Sequence, residues 1–395
     1  MPPKPSSRAV ATLRETAARA AAKGHPWVFR EGVAKLPSVE PGDVVEVAGP
    51  DARPLGLAIA DPQGAIALRM LSSVVADEAT LVRTRIASAL AARARFVATP
   101  ETTGYRALNG EGDGLPGVVI DRYADVAIVR VDGEAASRFF GRHRDLFVSA
   151  LVRDGVVAVG VRVADPARGE SKVTSLEGEV PPEVVILEHG MRMLVDLHHG
   201  QKTGAFLDQR ENRRLVRGLS GDKRVLNLFS YSGGFSLAAA LGGATHTTSV
   251  DLAPGGHKTG MRSFRENGLE PRSHAWVTAD AFTFLEGAKA RGESWDLIVC
   301  DPPSFAPNEK TKARGLSAYR KLHALAVGVL AKGGVFCAAS CSSHVGHDEF
   351  LATLDLSATG RALRVHALFG PPADHPIAAA WPEGRYLKFA WTTEV

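Results

Sequence analysis

From about residue 185 onward, short apolar segments alternate with longer segments of helical spacing, and this alternation constrains the fold more than any other feature. The predicted strands lie at residues 224–228, 247–250, 297–300 and 335–339, and the helical segments include residues 256–267 and 318–330. Such alternation is typical of a parallel sheet with helices on both faces. We therefore predict an α/β domain over residues 185–395.

The part of the chain before residue 185 has a different pattern. Short strands separated by turns extend to about residue 75 and predict a small β-rich domain over residues 1–75. Residues 77–97 have helical spacing, and a glycine-rich patch at 110–117 is followed by further strands. We predict a central α+β domain over residues 76–184, with Pro181 and Pro182 as the linker to the third domain.

Composition narrows the class of protein. The chain has 395 residues, of which 45% are hydrophobic and 23% charged, as in ordinary globular proteins. No apolar run is long enough to span a bilayer, and residues 1–23 lack the apolar core of a secretion signal, so we expect a cytoplasmic protein without a membrane partner. Three cysteines fit a reducing compartment, and the adjacent His198 and His199 are poorly spaced for a metal site. The net charge of +4 hints at a polyanionic partner.

A turn of small and aromatic residues follows the first strand of the α/β domain. Phe229, Ser230, Tyr231 and Gly233 lie in this turn, where small residues let the backbone approach a ligand closely. The turn lacks the GxGxxG pattern that binds the pyrophosphate of a dinucleotide. It is therefore a candidate binding site for a cofactor without a diphosphate.

Two acidic residues follow the next two strands. Asp251, followed by Leu252, comes about 20 residues after the turn, at the spacing where a carboxylate binds ribose hydroxyls. Asp280, followed by Ala281, is placed to accept a hydrogen bond from an adenine amino group. A ribose carboxylate without a diphosphate pattern suits S-adenosyl-L-methionine, which we predict as the cofactor. The alternative role of each acid is to cap the N-terminus of a helix.

The segment Asp301-Pro302-Pro303-Ser304-Phe305 follows the fourth strand. Two prolines lock the backbone and leave carbonyl groups facing the crevice at the sheet edge. Similar motifs occur in enzymes that methylate exocyclic amines, where the acid and a proline carbonyl accept hydrogen bonds from the amino group. The motif thus indicates a base methyltransferase without specifying the methylated atom.

Cys341 follows the last predicted strand and specifies that atom. A thiolate that adds to carbon-6 of a pyrimidine makes carbon-5 nucleophilic, so a thiol at this edge indicates carbon-5 methylation. The alternative is a buried apolar cysteine, since free cysteines are among the most buried residues. Cys300 and Cys337, which lie within strands, are predicted to be core residues.

Seven segments along nearly the whole chain carry a family resemblance, and they lie at residues 23–29, 109–123, 201–210, 229–235, 301–305, 340–342 and 373–376. In these segments the chain resembles the bacterial 23S ribosomal RNA cytosine-5 methyltransferases of the RlmI/RlmO type. The resemblance implies a PUA domain, a central α+β domain and a class I, Rossmann-like methyltransferase domain. It also implies 23S ribosomal RNA as the substrate and a homodimer, since dimers are common among the relatives.

The resemblance assigns further roles to residues of this chain. It implies that residues 202–210, with Lys202, Phe206 and Asp208, close over the cofactor, and that Cys341 is the nucleophile. Two departures from the family pattern are Ala205, where an aromatic residue is common, and His344, in a segment that usually contains glycine. His344 is either a proton-handling group or a surface residue.

We therefore predict an S-adenosylmethionine-dependent enzyme that forms 5-methylcytosine in 23S ribosomal RNA. Cys341, Asp301 and Pro302 are the predicted catalytic residues. One alternative is a guanine-N or exocyclic-amine methyltransferase that uses the 301–305 motif without covalent catalysis. The other is a non-catalytic RNA-binding or assembly factor.

Overall fold

The computed structural model describes residues 8–165 and 170–395, so the first seven residues of the N-terminal segment discussed above lie outside the described part. The chain forms two compact units. The first contains the described residues up to Val184, together with Leu197–Ala205 and Ala373–Gly384. The second contains Val185–Asp196, Phe206–Pro372 and Arg385–Val395. Each unit is thus assembled from segments that are discontinuous in sequence.

The first unit begins with a six-stranded sheet, as the turn-punctuated N-terminal pattern predicts. Its elements are β1 (Val10–Leu13), α1 (Glu15–Ala22), β2 (Trp27–Phe29), β3 (Val33–Lys35), β4 (Val44–Ala48), β5 (Pro54–Ala60) and β6 (Ile66–Ser72). The strand order is β2-β6-β5-β4-β1-β3, with β1 and β4 parallel and the other pairs antiparallel. Alternate residues such as Val45 and Val47 of β4 are buried, which gives this sheet its own apolar core.

A five-stranded sheet with two helices follows in the same unit. Its elements are α2 (Glu78–Phe96), β7 (Gly104–Asn109), β8 (Val118–Tyr123), β9 (Val126–Val131), α3 (Gly133–Arg153), β10 (Ala158–Asp165) and β11 (Glu170–Glu177), in the strand order β11-β10-β9-β8-β7. The predicted helix over residues 77–97 is confirmed. Asp77 caps it by accepting a hydrogen bond from the Thr80 backbone N–H (2.8 Å).

Residues 373–384 belong to this first unit although they come late in the sequence. Asp374 is fully buried; its backbone oxygen accepts from Arg93 Nη2 (2.8 Å) and its carboxylate accepts from the Arg106 N–H (2.9 Å). Trp381 packs edge to face against Trp27, with ring centroids 4.9 Å apart. The indole N–H of Trp27 donates a hydrogen bond to Glu111 Oε1 (2.7 Å). These contacts anchor the segment in the unit.

The second unit contains a hairpin and a seven-stranded sheet. Its strands are β12 (Glu183–Glu188), β13 (Met191–Asp196), β14 (Arg224–Leu228), β15 (His246–Asp251), β16 (Ala275–Thr278), β17 (Trp295–Cys300), β18 (Leu330–Ser340), β19 (Leu363–Phe369) and β20 (Lys388–Glu394). Its helices are α4 (Arg210–Leu219), α5 (Gly234–Leu241), α6 (Pro254–Glu266), α7 (Ala281–Ala290), α8 (Lys312–Gly328) and α9 (His347–Leu351). This arrangement confirms the predicted α/β alternation.

The sheet has the order β16-β15-β14-β17-β18-β20-β19. The first five strands are parallel, but β20 pairs antiparallel with both β18 and β19. The four predicted strands, β14, β15, β17 and β18, are parallel as expected, whereas β20, which was not predicted, runs opposite to its neighbours, because strand direction is set by the connection and not by the apolar pattern. Neighbouring residues of one strand enter different cores: Leu226 packs on the face covered by α7 and α8, and Val225 on the face covered by α4 and α5.

Candidate functional site

The candidate site residues of the second unit follow the carboxyl ends of the parallel strands. In register, Leu228 pairs with Val250 and with Cys300, and Cys300 pairs with Ala338, so these strands end at similar heights. This brings the segments that begin at residues 229, 251, 279, 301 and 341 to one edge of the sheet. The carboxyl edge is where open α/β sheets bind ligands.

The turn after β14 has an unusual backbone. Phe229, Tyr231 and Gly233 have φ angles of 58°, 47° and 71°, in the left-handed region that side chains disfavour. A Cβ on Gly233 would also lie 2.9 Å from the Trp276 ring. The ring of Tyr231 meets the ring of Phe206 edge to face, with centroids 5.6 Å apart. Glycine is therefore required at position 233 both for its conformation and for the space beside Trp276.

Asp251 holds this turn in place. Its Oδ2 accepts a hydrogen bond from the Tyr231 N–H (2.8 Å), and its Oδ1 accepts one from the Ala253 N–H (2.7 Å). A carboxylate has about four lone-pair sites, so these two bonds leave acceptor capacity at a half-buried position. The next residue, Leu252, is 67% exposed, which presents an apolar side chain beside the carboxylate.

His257 is part of this site and the sequence analysis missed it. Its Nε2 shares a hydrogen bond with the Ser230 hydroxyl (3.2 Å), and its ring packs edge to face on Trp276. Burial lowers the pKa of His257, and the nearby charge of Asp251 opposes that shift. A histidine inside a predicted helix carries no sequence signal for such a contact, because the contact depends on how α6 packs.

Asp280 caps helix α7. Its Oδ1 accepts hydrogen bonds from the Thr283 N–H (3.0 Å) and the Thr283 hydroxyl (3.2 Å). The structure thus contains the capping arrangement that the sequence analysis considered as the alternative role. The side chain of Asp280 is nevertheless exposed at the sheet edge, and the following Ala281 is buried in the core beneath it.

The 301–305 segment is held from two sides. Gln209 Nε2 donates to Asp301 Oδ2 (2.9 Å), and Gln209 is itself oriented by Asn212 Nδ2 (2.6 Å). Pro302 is buried, while Phe305 packs against Tyr319 with ring centroids 4.9 Å apart. Gln209, which the sequence analysis did not single out, therefore fixes the orientation of the Asp301 carboxylate.

Cys341 is partly exposed directly after β18, and the residues on either side of it are tied down. The Ser340 hydroxyl donates to the Tyr319 oxygen (3.0 Å), which shares a hydrogen bond with the Ser342 hydroxyl (3.1 Å). Ser342 also shares one with the Ser304 hydroxyl (2.8 Å). This network joins the loop after β18 to the loop after β17, so Cys341 and the 301–305 segment keep a constant relative position.

A buried lysine lies beneath the loop that follows Cys341. Lys388 is fully buried, and its Nζ donates to the backbone oxygens of Ser342 (2.5 Å) and Val345 (2.8 Å). Burial lowers the pKa of Lys388 to about 8, and the negative charges of Cys341 and Glu349 oppose that shift. The sequence analysis missed Lys388, since a lone lysine at the start of a strand reads as a surface residue.

The other residues discussed in the sequence analysis differ in how deeply they are buried and in the unit to which they belong. The two strand cysteines are fully buried, and burial raises the pKa of Cys300 and raises that of Cys337 to about 12, so their predicted core role is confirmed. His344 is 39% exposed, and its Nδ1 lies 3.6 Å from Glu309 Oε2. Lys202 has a φ of 55° and belongs to the first unit.

Asp208 and Phe206 are held by polar contacts within the second unit. The Tyr386 hydroxyl donates to Asp208 Oδ2 (2.8 Å). Arg213 donates to the Phe206 backbone oxygen (2.9 Å) and forms a buried bidentate pair with Glu188 at 2.7 and 2.6 Å. The conformation of the 206–208 segment is thereby set by Arg213 of the following helix and by Tyr386, which lies far from it in sequence.

Within residues 8–165 and 170–395, no cluster of three or more His, Cys, Asp or Glu side chains has the arrangement of a metal site. Among the helices in the same part of the chain, none combines the length and hydropathy that a bilayer-spanning segment requires.

Comparison with known proteins identifies the two main parts of the chain. Residues 159–377 match the family of S-adenosylmethionine-dependent methyltransferases, and residues 11–73 match the PUA-like domain. The ribosomal RNA large subunit methyltransferase of Deinococcus radiodurans is 38% identical over 382 residues, which cover 92% of each chain. Ribosomal RNA large subunit methyltransferase I of Klebsiella pneumoniae is 33% identical over 92% of this chain and 93% of its own.

Solved structures agree with these matches. A methyltransferase complexed with SAH has a TM-score of 0.86 and 27% identity, covering 98% of this chain and all of that one. A SAM-dependent methyltransferase from Streptococcus mutans has a TM-score of 0.85 at the same identity and coverage. These matches confirm the predicted fold class and the predicted cofactor, S-adenosyl-L-methionine. The chain therefore belongs to the family of S-adenosylmethionine-dependent ribosomal RNA large subunit methyltransferases I.

Proposed function

We propose that this protein methylates carbon-5 of a cytosine in 23S ribosomal RNA, with Cys341 as the nucleophile. The names of its relatives support the ribosomal RNA substrate, and the PUA-like domain and the net charge of +4 suit an RNA partner. The observation that carries the proposal is the position of Cys341, partly exposed at the carboxyl edge and joined by hydrogen bonds to the 301–305 loop.

The main residues proposed to bind the cofactor lie at the same edge of the sheet. Asp251 binds the ribose hydroxyls of S-adenosylmethionine, Leu252 covers the adenine, and the turn with Phe229, Ser230, Tyr231 and Gly233 lines the rest. The half-buried carboxylate with spare acceptor capacity and the exposed leucine beside it fit a ligand with hydroxyls and a flat ring. Asp280, Ala281, Lys202, Phe206 and Asp208 complete the proposed cofactor site. When bound, the cofactor supplies an electrophilic methyl group.

The protein residues act on the cytosine. The Asp301 carboxylate and the Pro302 carbonyl accept hydrogen bonds from its amino group and orient the ring. The Cys341 thiolate then bonds to carbon-6, which makes carbon-5 nucleophilic, and carbon-5 would take the methyl group that the bound cofactor supplies as the bond from that methyl to sulfur breaks. Loss of the carbon-5 proton, followed by departure of the thiolate from carbon-6, restores the aromatic ring. Because the enzyme must reach the edge of a base, the target cytosine is single-stranded or flipped out.

A Cys341→Ser variant tests the chemistry. We expect carbon-5 methylation of a 23S ribosomal RNA transcript to fall at least about 10³-fold, because a hydroxyl is a far weaker nucleophile than a thiolate. The product is measured by mass spectrometry of the digested RNA. RNA with 5-fluorocytosine at the target should form a covalent adduct with the wild-type protein, because fluorine cannot leave as the proton does.

The matched control is Cys300→Ala, which changes a buried cysteine of the neighbouring strand and should retain the adduct. Undiminished methylation by Cys341→Ser would instead favour amine methylation through the 301–305 segment alone.

We further propose that the protein is cytoplasmic and that its domains lie at residues 1–75, 76–184 and 185–395. We also propose that it forms a homodimer, and sedimentation of the full chain measures its oligomeric state.

A further inference from the structure

Lys388 carries an ammonium group in the interior of the second unit, where an uncompensated positive charge is destabilising. It begins β20 and lies opposite Ser340 in the antiparallel pair with β18. Its side chain is fully inaccessible to solvent, and its ammonium donates to two neutral backbone oxygens, those of Ser342 and Val345. Transfer of an ammonium group out of water is costly unless a negative charge compensates it. The two carbonyl groups satisfy its hydrogen bonds but do not neutralise it.

Two negative groups are near enough to interact with this ammonium. Glu349 is one, but it already forms an ion pair with Lys312 (2.8 Å) and accepts the Gly346 N–H (2.8 Å). The other is the thiolate form of Cys341, which directly precedes Ser342, the residue whose backbone oxygen accepts from the ammonium at 2.5 Å. Other titratable groups around the loop include Tyr319 of α8, whose pKa burial raises, and His344, His347, Asp348 and Arg385. Asp348 is the only carboxylate among these five residues, and it is exposed to solvent.

We propose that Lys388 is a positioning residue whose buried ammonium stabilises the thiolate of Cys341 while it holds the 342–345 loop in place. This inference rests on the proposed role of Cys341 as the nucleophile. Beside a protonated ammonium, a cysteine is more often in its thiolate form at neutral pH than an ordinary thiol is. Lys388 does not touch the substrate, because its ammonium is enclosed and its hydrogen bonds are directed at the loop.

The test is the pH profile of Cys341 alkylation by iodoacetamide, using the full-length protein without RNA. The thiolate is the reacting form, so the profile reports its population. We compare the wild type with Lys388→Met, which removes the charge and the donors, and Lys388→Gln, which keeps an N–H donor but removes the charge. Cys341→Ser gives the background from the two buried cysteines, and Lys321→Met is the control at an exposed lysine of α8.

We expect the wild-type profile to have a midpoint below the ordinary cysteine value of about 8.5. Both Lys388 variants should shift it upward by about one pH unit or more, which slows alkylation near pH 7 about ten-fold. A purely structural lysine would be rescued by Lys388→Gln, and an unchanged midpoint in that variant would overturn the proposal. A wild-type midpoint at or above the ordinary value would overturn it even if neither variant folds.

The proposed role of Lys388 and the proposed methylation of carbon-5 are tested by different measurements, so either one can be wrong without the other. Alkylation needs neither RNA nor cofactor, so it reports on Lys388 and Cys341 alone. If Cys341→Ser retained carbon-5 methylation, the nucleophile assignment would be lost, whereas the alkylation profile would still show whether Lys388 stabilises the thiolate.

Discussion

At the scale of single residues, Asp251 has a structural role beside its proposed contact with the ribose of the cofactor. Its carboxylate accepts hydrogen bonds from the N–H groups of Tyr231 and Ala253, and these bonds fix the turn after β14. The sequence analysis predicted a ribose ligand from its position at a strand end, but it did not predict this local role. The two roles are compatible because a carboxylate accepts several hydrogen bonds at once.

Asp251→Asn should weaken S-adenosylmethionine binding by roughly 10- to 100-fold, since hydrogen bonds to charged groups contribute about 1.5–3 kcal/mol. Calorimetric titration of the cofactor measures this. The control is Asp296→Asn, which changes an aspartate that accepts the Arg224 N–H (2.8 Å) at the opposite edge of the sheet. Equal affinities of Asp251→Asn and the wild type would exclude a ribose contact.

At the scale of elements, helix α6 packs closely against the turn after β14. A Cβ on Gly256 would lie 2.5 Å from the Tyr231 backbone oxygen, and a Cβ on Gly260 would lie 2.5 Å from the Ser232 oxygen. These two glycines, four residues apart, share one face of the helix. The turn can therefore rest directly on the helix backbone, and any larger residue would push it away.

Gly256→Ala should displace the turn and weaken cofactor binding at least about ten-fold, with a loss of about 1–3 kcal/mol in unfolding free energy from overpacking. Its neighbour Gly255 is the matched control, because a Cβ there meets no atom within 4 Å. Gly255→Ala should leave the affinity unchanged. Calorimetry and denaturant unfolding measure the two quantities, and parallel behaviour of both variants would contradict the close contact.

At the scale of the whole molecule, the core of the second unit contains a histidine that must stay neutral. His323 of α8 is fully buried among aromatic rings, and its Nδ1 lies 3.1 Å from the Thr353 hydroxyl. Burial lowers the pKa of His323 to about 4. The unfolded chain therefore takes up this proton at a higher pH than the native protein does.

It follows that the contribution of His323 to stability is complete above about pH 6.5 and is lost as the pH falls towards 4, by about 3 kcal/mol in all. His323→Gln cannot titrate, so its unfolding free energy should depend less steeply on pH over this range. Urea unfolding of both proteins at several pH values measures the difference. Identical slopes would mean that His323 has the same pKa in the native and the unfolded protein, and would exclude the effect of burial.

Features that depend on local sequence signals were predictable, and features that depend on tertiary packing were not. The strands 224–228, 247–250 and 297–300 and the helix over 77–97 were predicted closely because apolar periodicity and capping residues are local signals. The direction of β20 and the contacts of His257 and Gln209 were not predicted. Each depends on which segments meet in space, and the sequence pattern carries no such information.

The sequence by itself determined the α/β alternation, the PUA-like and methyltransferase parts, the cofactor class and the positions of Asp251, Asp301 and Cys341 at strand ends. Only the tertiary structure decided that Lys388 lies under the loop after Cys341 and that residues 373–384 join the first unit. The physical reason is that periodicity and turn chemistry act over a few residues. The partners of a buried charge, and the unit to which a segment belongs, arise from packing across the whole chain.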